Sequence, residues 1–198
     1  MAAFRLSHLT NRLFAKLLVS RAPWLLLCAV FLADVSTAVA AGAPAPSNVV
    51  PLFLVTKSQN KNQVQYAIRL DDQCAPASAA PVFAYWRMLE EGPKRTAPLL
   101  PREVQAYGLA SQQLVVRKGQ RNQVRITLRA LPSRPILIQT SRGARGACLA
   151  LATTTIARQP AHLFNVYVRL TWLLGVDYLL LQGWSMDGKH VIKEQINQ

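Results

Sequence analysis

The sequence predicts an all-β fold, an antiparallel sandwich or barrel of about eight to nine strands with one short helix near residues 99–107. Three observations point there. Apolar residues recur mostly at period two, and turn-forming residues separate the alternating segments. Of 198 residues, 51% are hydrophobic and only 16% are charged, enough apolar side chain for a packed core.

In chain order, "VVPLFLVT" (49–56) is apolar on nearly both faces, as expected of a strand in the middle of a sandwich or barrel. "NQVQYAIRL" places Val64, Tyr66, Ile68 and Leu70 on one face and Gln63, Gln65 and Arg69 on the other, a half-buried strand. "PVFAYWRML" (81–89) is an aromatic strand. "PLLPREVQAYG" (98–108) breaks the alternation: Pro101 suits a first helical turn, Glu103 follows it, and Gly108 stands where a C-terminal cap belongs. "RKGQRN" (117–122) joins two strands, the second being "RNQVRITLRA", with Val124, Ile126 and Leu128 facing in and Arg121, Arg125 and Arg129 facing out. "RPILIQT" (134–140), "ACLALATTTI" (147–156), "HLFNVYVRL" (162–170) and "DYLLLQGW" (177–184) are further strands. "SMDGK" (185–189) supplies a hairpin turn, and "GKHVIKEQI" (188–196) is a last, edge strand. The stretch 164–184 is apolar enough to suggest a membrane helix, but Arg169, Gly175 and Asp177 interrupt it, and strand, loop, strand is the better reading.

Residues 1–40 have the three parts of an export signal. A basic leader holds Arg5, Arg12, Lys16 and Arg21, the apolar "WLLLCAVFLA" (24–33) follows, and "STAVA" ends in the small-x-small Ala38-Val39-Ala40, placing cleavage after Ala40. An uncleaved anchor is the competing reading. Against it, the apolar run is half the roughly twenty residues a span needs, and Asp34 would cost about 2.5–3.5 kcal/mol near mid-span. Leu27 before Cys28 departs from a lipoprotein lipobox. The expected product is therefore periplasmic or secreted, touching membrane only through the signal or peripherally. "AGAPAPSN" (41–48) reads as a flexible linker and 49–198 as a single domain.

Two cysteines then remain, Cys74 and Cys148. Outside the cytoplasm a lone pair of thiols becomes a disulfide, and closing a loop of this length contributes about 4 kcal/mol in the chain-entropy account. Without the leader the chain keeps nineteen Lys and Arg against eight Asp and Glu, a net charge of +11. That excess favours salt-sensitive association with anions. In that compartment the candidates are an anionic envelope glycan, a lipid head group or an acidic protein, rather than nucleic acid. Compositional arginine bias is the plain alternative. Arg117, Arg121, Arg125 and Arg129 form the sharpest basic cluster, a row along one hairpin, which is equally a solvated strand face.

The polar run Lys57–Gln63 lies between two strands. Ser58, Asn60 and Asn62 are residues that bond their own backbone in turns. Alternatively they line one wall of a cleft, with Lys57 or Lys61 supplying charge and Tyr66, Tyr85, Trp86 and Tyr107 supplying flat apolar surface, an arrangement suited to sugar or peptide. Catalytic chemistry has little to draw on. His162 and His190 sit in no motif, the carboxylates Asp71, Asp72, Glu90 and Glu91 flank strands, and no metal, nucleotide or other cofactor motif is present. "RGARG" (142–146) is either a phosphate loop or a flexible hairpin tip.

The order of "LFLVTKSQNKNQVQYAI" (52–68), "PVFAYWRM" (81–88), "AYGL" (106–109) and "VIKEQI" (191–196) resembles a bacterial domain family of unknown function, number 4833. The resemblance rests on Ser58, Asn60, Asn62, Val64 and Tyr66, the Tyr85-Trp86 pair, Ala106-Tyr107-Gly108 and Glu194. It implies an exported, β-rich single domain and directs attention to the same polar run, with Tyr107 and Glu194 nearby. "SRGARGAC" (141–148) and the basic residues of 117–129 lie outside the shared pieces. The expectation is a non-catalytic binding or envelope-associated domain. The alternative is a hydrolase or transferase with its site around Ser58–Tyr66.

Overall fold

The computed structural model describes residues 48–92, 95–118, 120–172 and 175–197. The expected export signal lies outside them, as do most of the expected linker and the side chains of Arg117, Gln120 and Arg121. The described residues belong to one compact unit, Gly42–Gln198.

The chain is mostly β, with eleven strands and one short helix among the described residues. They run β1 Asn48–Lys57, β2 Gln63–Leu70, β3 Val82–Arg87, β4 Thr96–Pro98, α1 Pro101–Tyr107, β5 Leu109–Arg117, β6 Gln120–Leu128, β7 Leu131–Arg142, β8 Cys148–Ile156, β9 Gln159–Leu170, β10 Val176–Ser185 and β11 Val191–Asn197. The count exceeds eight to nine partly because β4 has only three residues, too few for any periodicity to show. Asn48, expected in the linker, already pairs with Leu70.

All eleven strands join one sheet, nine of them in the order β4-β3-β2-β1-β9-β8-β7-β6-β5, with β10 and β11 branching from β9. Two antiparallel meanders, β1–β4 and β5–β8, meet on the long strand β9. Its first residues pair with β8 (Thr153 opposite His162), its later ones with β1 (Val55 opposite Val166), and its other edge carries β10, which in turn carries β11. The β1–β9 pairing is parallel, a departure from the all-antiparallel expectation that local alternation cannot show. Pro51 sits where β1 has a partner on one edge only, so its missing N–H costs no ladder bond. A bulge follows at Leu52, and Gln65 Nε2 donates to the Phe53 carbonyl (3.0 Å) beside it. That bond explains a correction: β2 is buried on both faces from Val64 to Ile68, Gln65 included, rather than half-buried.

Side chains from both meanders and from β9–β11 form a single core, among them Phe53, Tyr66, Ile126, Ile138, Ile156 and Leu181. The sheet bends around this core without closing into a barrel. Its free end, β5, meets the uncovered half of β3 through one side chain. The Val82 N–H donates to Gln112 Oε1 (3.1 Å) and Gln112 Nε2 donates to the Val82 carbonyl (3.3 Å), so a carboxamide stands where the next strand's peptide would be. Cys74 and Cys148 are disulfide-bonded, their Cα atoms 5.2 Å apart, tying the β2–β3 connection to the start of β8. Among the described residues no helix is long and apolar enough to cross a membrane.

Candidate functional site

The polar run after β1 is a turn that bonds its own backbone. The Ser58 N–H donates to the Val168 carbonyl and its Oγ accepts the Leu170 N–H, both at 3.1 Å, prolonging the parallel β1–β9 ladder by one residue. Asn60 Oδ1 accepts the Asn62 N–H (3.2 Å), and Asn62 Oδ1 accepts the Glu90 N–H (3.1 Å). The Lys61 N–H donates to Glu90 Oε1 (3.2 Å), so the run is clamped to the β3–β4 connection.

These same bonds orient the polar wall of a cavity of about 390 Å³ between the turn, β3 and the start of α1, whose other wall is apolar, with Met88, Ala97, Pro98 and Leu100. Lys57 Nζ stands 4.4 Å from the centre of the Trp86 ring. The indole Nε1 donates to Glu103 Oε2 (2.8 Å), and the same oxygen accepts the Leu100 N–H (2.8 Å), capping α1. Burial lowers the Lys57 pKa from its ordinary value, against the opposing pull of Glu103 and Glu90. Burial also pushes Glu103 upward, but the Leu100 and Trp86 hydrogen bonds and the charges of Arg102 and Lys57 outweigh it and hold that carboxyl below its usual range.

The consequence is an asymmetry of hydrogen-bonding capacity. The carboxamide oxygens of Asn60 and Asn62 are taken by backbone N–H groups, and so is one Glu103 oxygen. Among the described residues the Asn60 and Asn62 amide nitrogens and the Lys57 ammonium donate to no protein group. The cavity therefore offers these donors beside one Glu103 oxygen unengaged among the described residues and the apolar side chains of Met88, Ala97, Pro98 and Leu100, a mixture that suits an oxygen-rich ligand with a hydrocarbon face.

The structure brings Asn60, Asn62 and Trp86 together here, with Lys57. It places the other expected residues elsewhere. Tyr66 is in the core, stacked on Phe53 at 4.5 Å, its hydroxyl donating to the Tyr107 carbonyl, and burial pushes its pKa far upward. Tyr107 meets Trp86 edge to face at 5.6 Å, behind the cavity wall. Trp86 itself is only 7% exposed and is no open stacking platform. Tyr85, its neighbour in β3, points to the opposite face and stacks on Phe83 at 5.8 Å. Glu194 belongs to a separate cluster: it makes a two-pronged ion pair with Arg134 (2.5 and 2.9 Å) and accepts the Ala157 N–H (2.7 Å). Arg125 lies exposed on the outer face of β6. Arg129 leaves that row, because β6 ends at Leu128 and Arg129 stands in the turn to β7. Of Arg117 and Arg121 only the backbone is described.

In the sequence Glu103 marks a helix start; its reach to Trp86 depends on α1 folding back over β3. Arg142, in the glycine-arginine hairpin tip, is engaged by the Gly146 and Asp72 carbonyls. His162 Nδ1 lies 3.2 Å from Thr153 Oγ1. No group of three or more metal-ligating side chains occurs among the described residues.

No curated protein and no solved structure matches the chain. The family described as "Domain of unknown function (DUF4833)" matches residues 53–195, spanning β1 to β11, the polar cavity and the Glu194 cluster. The chain belongs to that family.

Proposed function

We propose that this is an exported, non-catalytic binding domain of the cell envelope, and that its polar cavity takes an acidic glycan. The observation that carries the reading is the convergence of unmatched donors, the Asn60 and Asn62 amide nitrogens with the Lys57 ammonium, in a recess of about 390 Å³. A sugar carboxylate accepts from the ammonium and one amide while ring hydroxyl oxygens accept from the other. The net charge of +11 from Ala41 onward attracts such ligands at long range. Export by the 1–40 leader completes the reading, and the protein recovered from the periplasm would begin at Ala41. Among the described residues the Ser58 hydroxyl accepts the Leu170 N–H and is hydrogen-bonded to no His, Lys or carboxylate side chain, which favours binding over a hydrolase or transferase.

The test is calorimetric titration with acidic and neutral oligosaccharides at low and high salt, using the wild type and an Asn60→Asp, Asn62→Asp double variant. Aspartate keeps the oxygen each backbone N–H needs and replaces the donor by an acceptor. Acidic oligosaccharide should bind in a salt-sensitive manner, and the double variant should lose about tenfold or more in affinity with its melting temperature nearly unchanged. Equal binding by the double variant removes the cavity from the reading. Loss of binding in a separate Arg125→Ser variant, with the double variant unaffected, instead moves the ligand to the basic strand face.

A further inference from the structure

A second cavity, of about 310 Å³, opens on the other side of Tyr107. Its inner walls are core residues, Val55 and Tyr66 from β1 and β2, Val166 and Val168 from β9, Leu179 from β10, and Leu128 and Leu131 at the β6–β7 turn. Packed protein interiors leave few voids larger than a water molecule, and a cavity of this size lies at the small end of the range of ligand pockets, roughly 300–1,000 Å³. Its rim differs from its floor. Arg129, exposed in the β6–β7 turn, stands at the mouth with Gln105 and the end of α1, and its guanidinium has no carboxylate within 4.0 Å among the described residues. The opposite lip is apolar. Val176 is 42% exposed there, and the turn leading to it carries Trp172, 87% exposed.

A dry recess with one cationic group at its entrance matches a molecule that is apolar along its length and anionic at one end. We propose that this cavity binds a single-chain amphiphile, the acyl chain lying between β9, β10 and the β6–β7 turn and the carboxylate or phosphate head meeting Arg129. The volume suits one chain rather than two. Val176 forms the apolar lip over which the chain enters. The basis is independent of the polar cavity, which shares none of these side chains.

The experiment is displacement of a dansyl-labelled medium-chain fatty acid from the full chain by decanoate, decyl phosphate and decanol. The same leader is present in every variant, so its own affinity for the probe cancels in the comparison. Both anions should displace the probe, and decanol should do so about tenfold more weakly for want of the charge-assisted contact. Arg129→Glu should erase the preference for the anions, while decanol still competes. Leu179→Phe, which fills the cavity, should abolish displaceable binding, and Val176→Glu, at an exposed position that leaves the core untouched, should do the same if Leu179→Phe folds poorly. Decanoate more effective than decyl phosphate would assign the head as a carboxylate, and the reverse order would assign a phosphate; either supports the site. Equal displacement by decanol and decanoate overturns the anionic head. Probe binding unchanged by both Leu179→Phe and Val176→Glu overturns the cavity.

Discussion

Glu194 shows how much one carboxylate can organise. It joins β11 to Arg134 of β7 and to the backbone of the β8–β9 turn, and the side chains of Arg134 and Glu194 are each about a quarter exposed (24% and 25%). The Arg134 hydrogen bonds chiefly, then the Ala157 N–H, hold its pKa below the usual carboxylate range, against the opposing effect of burial. A carboxyl whose native pKa is depressed contributes stability that is full above its ordinary value and is lost as pH falls through the native one. Glu194→Gln should therefore cost about 1–3 kcal/mol at neutral pH, since hydrogen bonds to charged groups have that worth and Arg134 is left unpaired. Urea unfolding at neutral and acidic pH checks this. The gap between wild type and variant should shrink on acidification, and a gap independent of pH would mean the ionised carboxylate contributes nothing. Gly108 gives a second lesson at this scale. It ends α1 as expected, but with φ −74° it is not left-handed. Glycine is required there because a Cβ would lie 2.2 Å from the Val104 carbonyl oxygen.

Among the elements, the β8–β9 hairpin carries backbone strain. Its two-residue loop, Ala157-Arg158, has φ of 49° and 64°, so two L-residues with side chains occupy the left-handed region that the right-handed twist of the flanking strands demands. Each such residue costs about 1–2 kcal/mol where glycine would cost nothing. Arg158→Gly should thus raise stability by roughly 0.5–1 kcal/mol once the greater freedom of unfolded glycine is subtracted. A higher midpoint in thermal unfolding is the expected outcome, and a lower one would show that the Arg158 side chain contributes more than the strain. Helix α1 illustrates the reverse economy. Its sequence signals, Pro101 and Glu103, were visible, and the same Glu103 that caps it also fixes Trp86 and sets the donor-rich cavity.

At the scale of the molecule, the nine-strand path of the sheet leaves two ends, β4 and β5, to protect. β4 is too short to cover β3 fully, and Gln112 of β5 bonds the backbone left open at Val82. Gln112→Ala should cost about 1–3 kcal/mol by stranding two groups of a buried residue. Hydrogen exchange supplies the sharper readout. The Val82 amide should lose protection well before the core strands, and unchanged protection there would separate the two ends of the sheet. The disulfide acts at the same scale, joining the β2–β3 connection of one meander to β8, the last strand of the other.

The all-β class, the place of α1, most strand positions, the disulfide pairing and the family were legible in the sequence, because each depends on residues near one another or on a count. Alternation of Val124, Ile126 and Leu128 needs only a pleat; Cys74 and Cys148 are the only two cysteines outside the expected leader, which allow one intrachain pair. The short strand β4, the second buried face of β2 and the parallel β1–β9 contact were not, since a strand's partners and what covers its outer face are set by distant segments. The candidate site divides the same way. Asn60, Asn62, Trp86 and Lys57 stood out as residue types able to bind, but Tyr85 and Glu194 looked equally suitable and lie elsewhere. Composition and spacing determined which side chains were available; only the folding of α1 over β3, and of one sheet around one core, decided which of them share a cavity and left an apolar recess behind Arg129.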